Sequence, residues 1–261
     1  MISLVLLGAA GRMGRAVEQA AAGSRDLEIK ARVDRGDRLP PAAARGPVEA
    51  WSESLESSVA AGDVVVDFSA GPATLSAARV CTARGAALVS GTTGLDPAAE
   101  AELRAASARV AVLRAANFSL GVTALRRALA AALDALPGSW DIEIVERHHR
   151  GKVDSPSGTA LQLARDAAAR RGWKAEALRF GREGKTGPRP AAEIGVHAVR
   201  GGTWVGDHSV LVSGDGEWVE LRHVACDRQS FAQGALAAAR FVATAPPGFY
   251  TMDDVVNPAG R

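Results

Sequence analysis

The fold is decided by the opening stretch Ile2-Ser3-Leu4-Val5-Leu6-Leu7-Gly8-Ala9-Ala10-Gly11-Arg12-Met13-Gly14. A short apolar run leads into a Gly-x-x-Gly-x-x-Gly turn, and residues 12–22 continue at helical spacing. Glycines between a strand and a helix permit a tight turn and let the backbone approach a pyrophosphate. The helix N-terminus then offers the anion its free N–H groups and the positive end of its dipole. A tight strand–helix connection without any ligand would look the same, so the reading depends on the residues at the end of the second strand. Asp34 ends that second strand candidate, 27–33, where an acid accepts hydrogen bonds from the adenosine ribose of NAD. Arg35 beside it offers a planar donor fork suited to a 2′-phosphate. An Asp at a strand end also starts turns, but together with the glycine loop the pair points to a dinucleotide, with NADH or NADPH as the cofactor.

The same two periods alternate through the rest of the first half. Strand candidates lie at 63–68, 86–90 and 110–113. Between them run Ala-rich helices, 72–84 and 97–108, each beginning with proline, a favoured first helical residue. Continuous apolar strands between helices imply a parallel sheet covered on both faces. Gly91-Thr92-Thr93-Gly94 and Ala115-Ala116-Asn117-Phe118-Ser119 follow the fourth and fifth strands. Both would sit on the carboxyl edge where ligands of such sheets bind.

Beyond residue 119 the pattern changes. A helix at 121–136 ends at Pro137-Gly138, residues 141–146 alternate with period two, and a helix follows at 157–171. After a Gly/Pro/Arg loop around 181–190 come strands 194–200, 204–213 and 218–225, with no helices between them. That run suggests an open antiparallel or mixed sheet. The expected fold class is therefore α/β: an N-terminal Rossmann-type parallel sheet with a second α/β domain on a mixed, largely open sheet. The expected domains are 1–119 and 120–227, with a last helix at 230–243 and the rest of 228–261 packing back on the first.

Composition narrows the function classes. Of 261 residues, 47% are hydrophobic and 23% charged, enough apolar material for a core and too much for general disorder. Lys and Arg number 31 against 29 acids, a net +2, so neither nucleic acid nor a membrane surface is an expected partner. Cys81 and Cys226 lie far apart without metal-ligand spacing; two reduced, largely buried thiols are expected, and no metal. The apolar opening is shorter than the roughly 20 residues of a membrane span and lacks a basic leader, so the expected location is the cytoplasm.

The densest chemistry lies in Glu146-Arg147-His148-His149-Arg150-Gly151-Lys152-Val153-Asp154-Ser155-Pro156-Ser157-Gly158-Thr159-Ala160. Charge of this kind is often only a solvated surface. Here, however, Pro156-Ser157-Gly158-Thr159 precedes a helical pattern, which gathers hydroxyls and backbone N–H groups at a helix start. With Lys152 nearby, that makes a site for carboxylates. Histidine titrates near neutrality, so one of the adjacent pair can deliver a proton. An anionic substrate, a proton donor and a hydride cofactor fit together.

These residues resemble one family, the 4-hydroxy-tetrahydrodipicolinate (dihydrodipicolinate) reductases of the diaminopimelate route to lysine. The signature Glu-x-His-His-x-x-Lys-x-Asp-x-Pro-Ser-Gly-Thr-Ala is matched at every fixed place from Glu146 to Ala160. Gly8 to Gly14, Gly91 to Gly94, Ala116 to Ser119, Arg182 to Gly187 and Val205 to His208 match further stretches in the expected order. The resemblance implies an oxidoreductase that transfers hydride from NADH or NADPH to the unsaturated ring, with loss of the hydroxyl as water. It implies His148 as general acid and Lys152 as the catalytic cation, with His149, Lys152, Ser157, Gly158 and Thr159 holding the small dicarboxylate substrate. Gly8, Ala9, Ala10, Gly11, Arg12, Met13, Asp34, Arg35, Gly91, Thr92, Thr93, Ala115, Ala116, Asn117 and Phe118 would line the cofactor. A homotetramer is also implied, its core formed by the sheets of the second domain, which also binds substrate. The alternative is a reductase of the same two-domain shape acting on another small anion, which would lack the histidine–lysine–hydroxyl segment. A non-catalytic nucleotide sensor would keep the glycine loop and lose the acid and the cation. The stretch 36–51 matches nothing informative.

Overall fold

Alternation along the first strand, β1 (Ile2–Leu7), sends Leu4 and Leu6 to one hydrophobic cluster and Val5 and Leu7 to another. The same division recurs in β4 (Val64–Asp67), whose Val64 and Val66 join the first cluster while Val65 joins the second. A strand buried on both faces needs apolar residues at every position, which is why these segments read as continuous runs. The structure is a computed structural model that describes residues 1–41 and 51–257. Most of the stretch 36–51 and the last four residues lie outside the described residues.

The chain divides into two compact units, Met1–Leu120 with Arg228–Arg261, and Gly121–Asp227. In the first, α1 (Arg12–Ala21), β2 (Leu27–Val33), β3 (Trp51–Ser52), α2 (Leu55–Ser58), α3 (Gly71–Arg84), β5 (Ala87–Ser90), α4 (Pro97–Ala106) and β6 (Ala111–Arg114) build the Rossmann-type layers. The sheet is wholly parallel in the order β12-β6-β5-β4-β1-β2-β3, where β12 is Gly248–Tyr250 from the C-terminal segment. That segment also supplies α7 (Gln229–Val242), whose Ala232, Ala235, Leu236 and Ala239 are fully buried in the first cluster. A last short helix, α8 (Met252–Val256), carries a capping box between Thr251 and Asp254.

The glycine loop has a steric origin. Gly8 stands at φ +79°, and a Cβ on Gly14 would lie 2.5 Å from the carbonyl oxygens of both Gly8 and Ala9. Helix α1 can start this close to β1 only if position 14 has no side chain. We therefore expect Gly14→Ala to cost about 2 kcal/mol, the scale of overpacking, which for a chain of this size lowers Tm by roughly 4–8 °C. Thermal unfolding checks the first figure, and a nucleotide titration should show weakened binding alongside it. Wild-type values in both would mean that the loop yields at no cost.

The second unit holds α5 (Leu120–Ala135), β7 (Asp141–His148), α6 (Gly158–Arg171), β8 (Leu178–Phe180), β9 (Ile194–Arg200), β10 (Gly206–Ser213) and β11 (Trp218–Ala225). Its sheet runs β11-β10-β7-β9-β8; β10 is antiparallel to both β7 and β11, while β9 is parallel to β7 and β8. The mixed sheet expected from the sequence is therefore present. Ile142, Ile144, Ile194, Val196, Val210 and Val212 pack on one face against Leu129, Leu133, Leu163 and Ala167 of the two helices. On β11, Trp218, Glu220, Arg222 and Val224 alternate outward and are exposed. Cys81 is buried as expected, and burial, reinforced by Asp67 and Asp63, pushes its thiol up to about 12. Cys226 corrects the expectation: it is exposed, because it follows the end of β11 rather than entering a core.

Candidate active site

Strand β7 runs two residues beyond the expected 141–146, and that extension makes the site. With period-two alternation, Glu146 and His148 continue the buried row of Ile142 and Ile144. Register brings His208 of β10 opposite Glu146, and Arg200 of β9 opposite His148. All four thus share the helix-facing side of the sheet, at the end where α6 begins.

Glu146 is fully buried and receives four hydrogen bonds. Arg200 donates through both terminal nitrogens, at 2.7 Å each, and the N–H of Ser157 donates at 2.9 Å. His148 Nδ1 lies 2.6 Å from Glu146 Oε2. Burial alone would raise this carboxyl; the donors from His148, Arg200 and Ser157 outweigh it and hold the group down at about 2. It is therefore an anion throughout the working range. The His208 ring meets His148 edge to face, with centroids 5.1 Å apart, and its Nε2 lies 3.0 Å from Ser157 Oγ. Burial first, then the neighbouring His148, lowers His208 to about 4, so its ring is neutral near pH 7.

Ser157 is also the N-cap of α6, accepting the N–H of Ala160 at 3.2 Å. Gly158 and Thr159 follow in the first turn, where the helix dipole favours an anion. On the loop between, Lys152 Nζ pairs with Asp154 at 2.8 Å, and that hydrogen bond lowers the Asp154 carboxyl. The His149 N–H donates to Trp204 O at 2.8 Å, leaving its ring half-buried. No group of three or more His, Cys, Asp or Glu among the described residues is arranged to hold a metal.

In the first unit, the loops after β1, β4, β5 and β6 meet around Phe68. Its carbonyl packs against Gly8, and its ring against Gly91 and Phe118, with the two phenyl centroids 5.3 Å apart. Asp34 is buried and engaged at both oxygens, accepting the N–H of Ala10 at 2.9 Å and that of Arg35 at 2.9 Å. It thus braces the glycine loop, a role that its place at a strand end does not reveal. Helix α1 starts at Gly11 without a capping side chain, with Arg12 exposed beside it. Arg35 is exposed and pairs with Asp37 at 3.0 Å. Thr93 and Ala116 are exposed, and Ala9 is buried in the core; Ala115, Met13 and Asn117 are half-buried, Asn117 accepting the N–H of Ser119 at 2.8 Å. Phe118 turns its ring into the core, and Thr92 directs its hydroxyl to Asp67 at 3.1 Å. An uncapped helix start beside a backbone-lined loop and a strand-end acid fits a pyridine nucleotide.

Residues 2–118 match the family model described as dihydrodipicolinate reductase, N-terminus, and residues 121–256 match the model of its C-terminus. The chain belongs to the dihydrodipicolinate reductase family. A 4-hydroxy-tetrahydrodipicolinate reductase of Myxococcus xanthus is 42% identical over 266 residues, covering 98% of each chain. That of Caulobacter vibrioides is 42% identical over 259 residues, covering 98% of this chain and 97% of its own. A solved dipicolinate-bound dihydrodipicolinate reductase from Paenisporosarcina shares the fold, with a TM-score of 0.76 at 22% identity over 96% of this chain and 97% of that one. As a dihydrodipicolinate reductase, the chain is an NAD(P)H oxidoreductase acting on 4-hydroxy-tetrahydrodipicolinate in lysine and diaminopimelate biosynthesis. Its N-terminal unit is the Rossmann domain that takes the pyridine nucleotide.

Sequence reading passes over three residues of this reductase that the fold brings to its sites. Arg200 and His208 lie far along the chain from Glu146; parity on β9 is the signal for Arg200, while His208 ends a stretch that the resemblance covers without giving it a role. Asp67, buried at the end of β4, accepts from the hydroxyls of Ser69, Thr74, Ser90 and Thr92 and ties together the loops at the sheet edge. Its position after three valines is that signal.

Proposed function

We propose that His148 is the proton donor of this reductase and that Lys152, with the start of α6, binds a carboxylate of the substrate. The observation that carries the reading is the buried Glu146–His148 pair at 2.6 Å beside the start of α6, whose Ser157 N–H donates to Glu146, with Lys152 on the loop that joins β7 to that helix. Each turnover consumes one hydride and one proton and releases one water. The bound nucleotide supplies the hydride. The hydroxyl leaves as water together with a proton from the adjacent carbon, opening a double bond between the two. The hydride then adds where the hydroxyl stood, and His148 gives a proton from its ring to the adjacent carbon and recovers it from solvent. Lys152 balances the carboxylate charge, while the first-turn backbone at Ser157, Gly158 and Thr159, together with His149, orients the ring. The glycine loop 8–13, Asp34, Arg35, residues 91–93 and 115–118 form the proposed cofactor cleft; at Phe118 and Thr92 the contact would come from backbone, since their side chains face inward.

The decisive assay generates the substrate from aspartate semialdehyde and pyruvate with the preceding synthase, and follows consumption of the reduced nucleotide. Absence of turnover with both NADH and NADPH would remove this reading. Cofactor choice turns on Asp34 and Arg35, whose effects oppose each other. The Asp34 carboxylate suits ribose hydroxyls and repels a 2′-phosphate, while the exposed guanidinium of Arg35 suits the phosphate. We expect kcat/KM with the two cofactors to agree within about tenfold, near 1.4 kcal/mol. Arg35→Ala should penalise NADPH well beyond NADH, by less as salt is raised; equal losses would confine Arg35 to the fold.

The enzyme is further proposed to work in the cytoplasm as a homotetramer. The outward alternation of Trp218 and Val224 on β11, 68% and 50% exposed, supports a sheet face covered by other copies. Light scattering of the purified protein tests this directly, a monomeric mass being the contrary result. No helix among the described residues is long and apolar enough to cross a membrane.

A further inference from the structure

A fully buried carboxylate is costly unless every lone pair is met, and an apolar residue in its place is often no worse for stability. Glu146 is such a carboxylate, and its four donors converge from three elements of the fold: Arg200 on β9, the N–H of Ser157 at the start of α6, and His148 two residues along β7. The arrangement fixes more than the side chain of Glu146. An ionised carboxylate accepts only, so the nitrogen facing it, His148 Nδ1, carries a hydrogen in either state of the ring. The exchangeable proton is thereby confined to Nε2, which has no hydrogen-bond partner among the described residues. The neutral His208 ring, packed edge to face, supports the imidazole without adding a charge or competing for the proton. Arg200 reaches further: its Nη2 also donates to the carbonyl of Asp154 at 2.8 Å. The same guanidinium thus braces the carboxylate behind His148 and the loop that carries Lys152.

We propose that Glu146, clamped by Arg200, is a positioning residue that fixes the orientation and tautomer of His148 so that Nε2 delivers the proton. The proposal rests on the reading of His148 as proton donor, and the experiment separates the two. The charged and titratable groups packed at the ring are Glu146 on β7 and His208 on β10, with Arg200 of β9 behind Glu146; Lys152 and Asp154 pair with each other on the loop that follows β7.

The test is a double-mutant cycle of wild type, His148→Gln, Glu146→Gln and the double variant, with kcat measured across pH. Binding of pyridine-2,6-dicarboxylate is followed separately. Glu146→Gln should lower kcat about 10–10²-fold, no more than loss of the acid itself, while binding of the dicarboxylate stays within about threefold. Without the anion behind Nδ1, the pH profile of kcat should move to lower pH, because an adjacent negative charge favours the protonated ring. Added to His148→Gln, the Glu146 change should cost less than about twofold, since nothing remains for it to orient. Losses that multiply in the double variant, or a pH profile that does not move, overturn the proposal. Should Glu146→Gln fail to fold, Arg200→Lys decides: a reduced kcat with unchanged dicarboxylate binding supports the proposal, and an unchanged kcat overturns it. Unchanged kcat in His148→Gln alone overturns the proton-donor reading and the positioning role with it. A slow His148→Gln beside a normal Glu146→Gln overturns the positioning role only.

Discussion

A His148→Gln enzyme is expected to turn over on the order of 10²-fold more slowly than wild type, the scale of lost general-acid catalysis. Glutamine keeps an amide N–H that can donate to Glu146, so the buried carboxylate is not orphaned and the fold should survive. What glutamine cannot do is release a proton. Dicarboxylate binding should therefore change little, and the loss should appear in kcat rather than KM. Steady-state turnover together with a titration of pyridine-2,6-dicarboxylate reads both quantities. Near-normal kcat would take His148 out of the acid role.

Lys152 should act on binding and on chemistry together. A charge-assisted contact to a carboxylate is worth roughly 1.5–3 kcal/mol, so Lys152→Ala should raise KM about 10–10²-fold and lower kcat as well. In the structure the ammonium is held by Asp154, whose side chain is 56% exposed and so easily displaced. A substrate carboxylate can replace that partner. Asp154→Asn provides the internal control: freed from Asp154, the lysine should bind the dicarboxylate as well as before or better. An unchanged KM in Lys152→Ala would mean that another cation holds the substrate.

The first unit was legible because its physics is local. Strands buried on both faces must be apolar throughout, as 4–7 and 64–66 are, and a helix that begins against a strand excludes any side chain at Gly14. The signature from Glu146 to Ala160 was legible for a related reason: a histidine pair, a lysine and a serine-capped helix start lie within one short segment. Short edge strands were not. Ser52, at the end of β3, and the three residues of β12 carry no periodicity of their own, and each exists because a neighbouring strand offers it main-chain partners.

The sequence by itself determined which residues are chemically able: the glycine loop, Asp34, the histidine pair, Lys152 and the helix start at Ser157. It could not determine what stands behind them. Alternation reveals which side of a strand a residue faces, but the register between strands comes only from packing the sheet. Only the assembled sheet sets Arg200, 54 positions from Glu146, at hydrogen-bonding distance from that carboxylate, and His208, 51 positions from Ser157, against its hydroxyl and the His148 ring. The extension of β7 by two residues was decided the same way, since Arg147 and His148 join the strand only because β9 and β10 pair with them. A histidine that reads as part of a charged loop is thereby turned into the buried side of a sheet, with an anion fixed behind its ring.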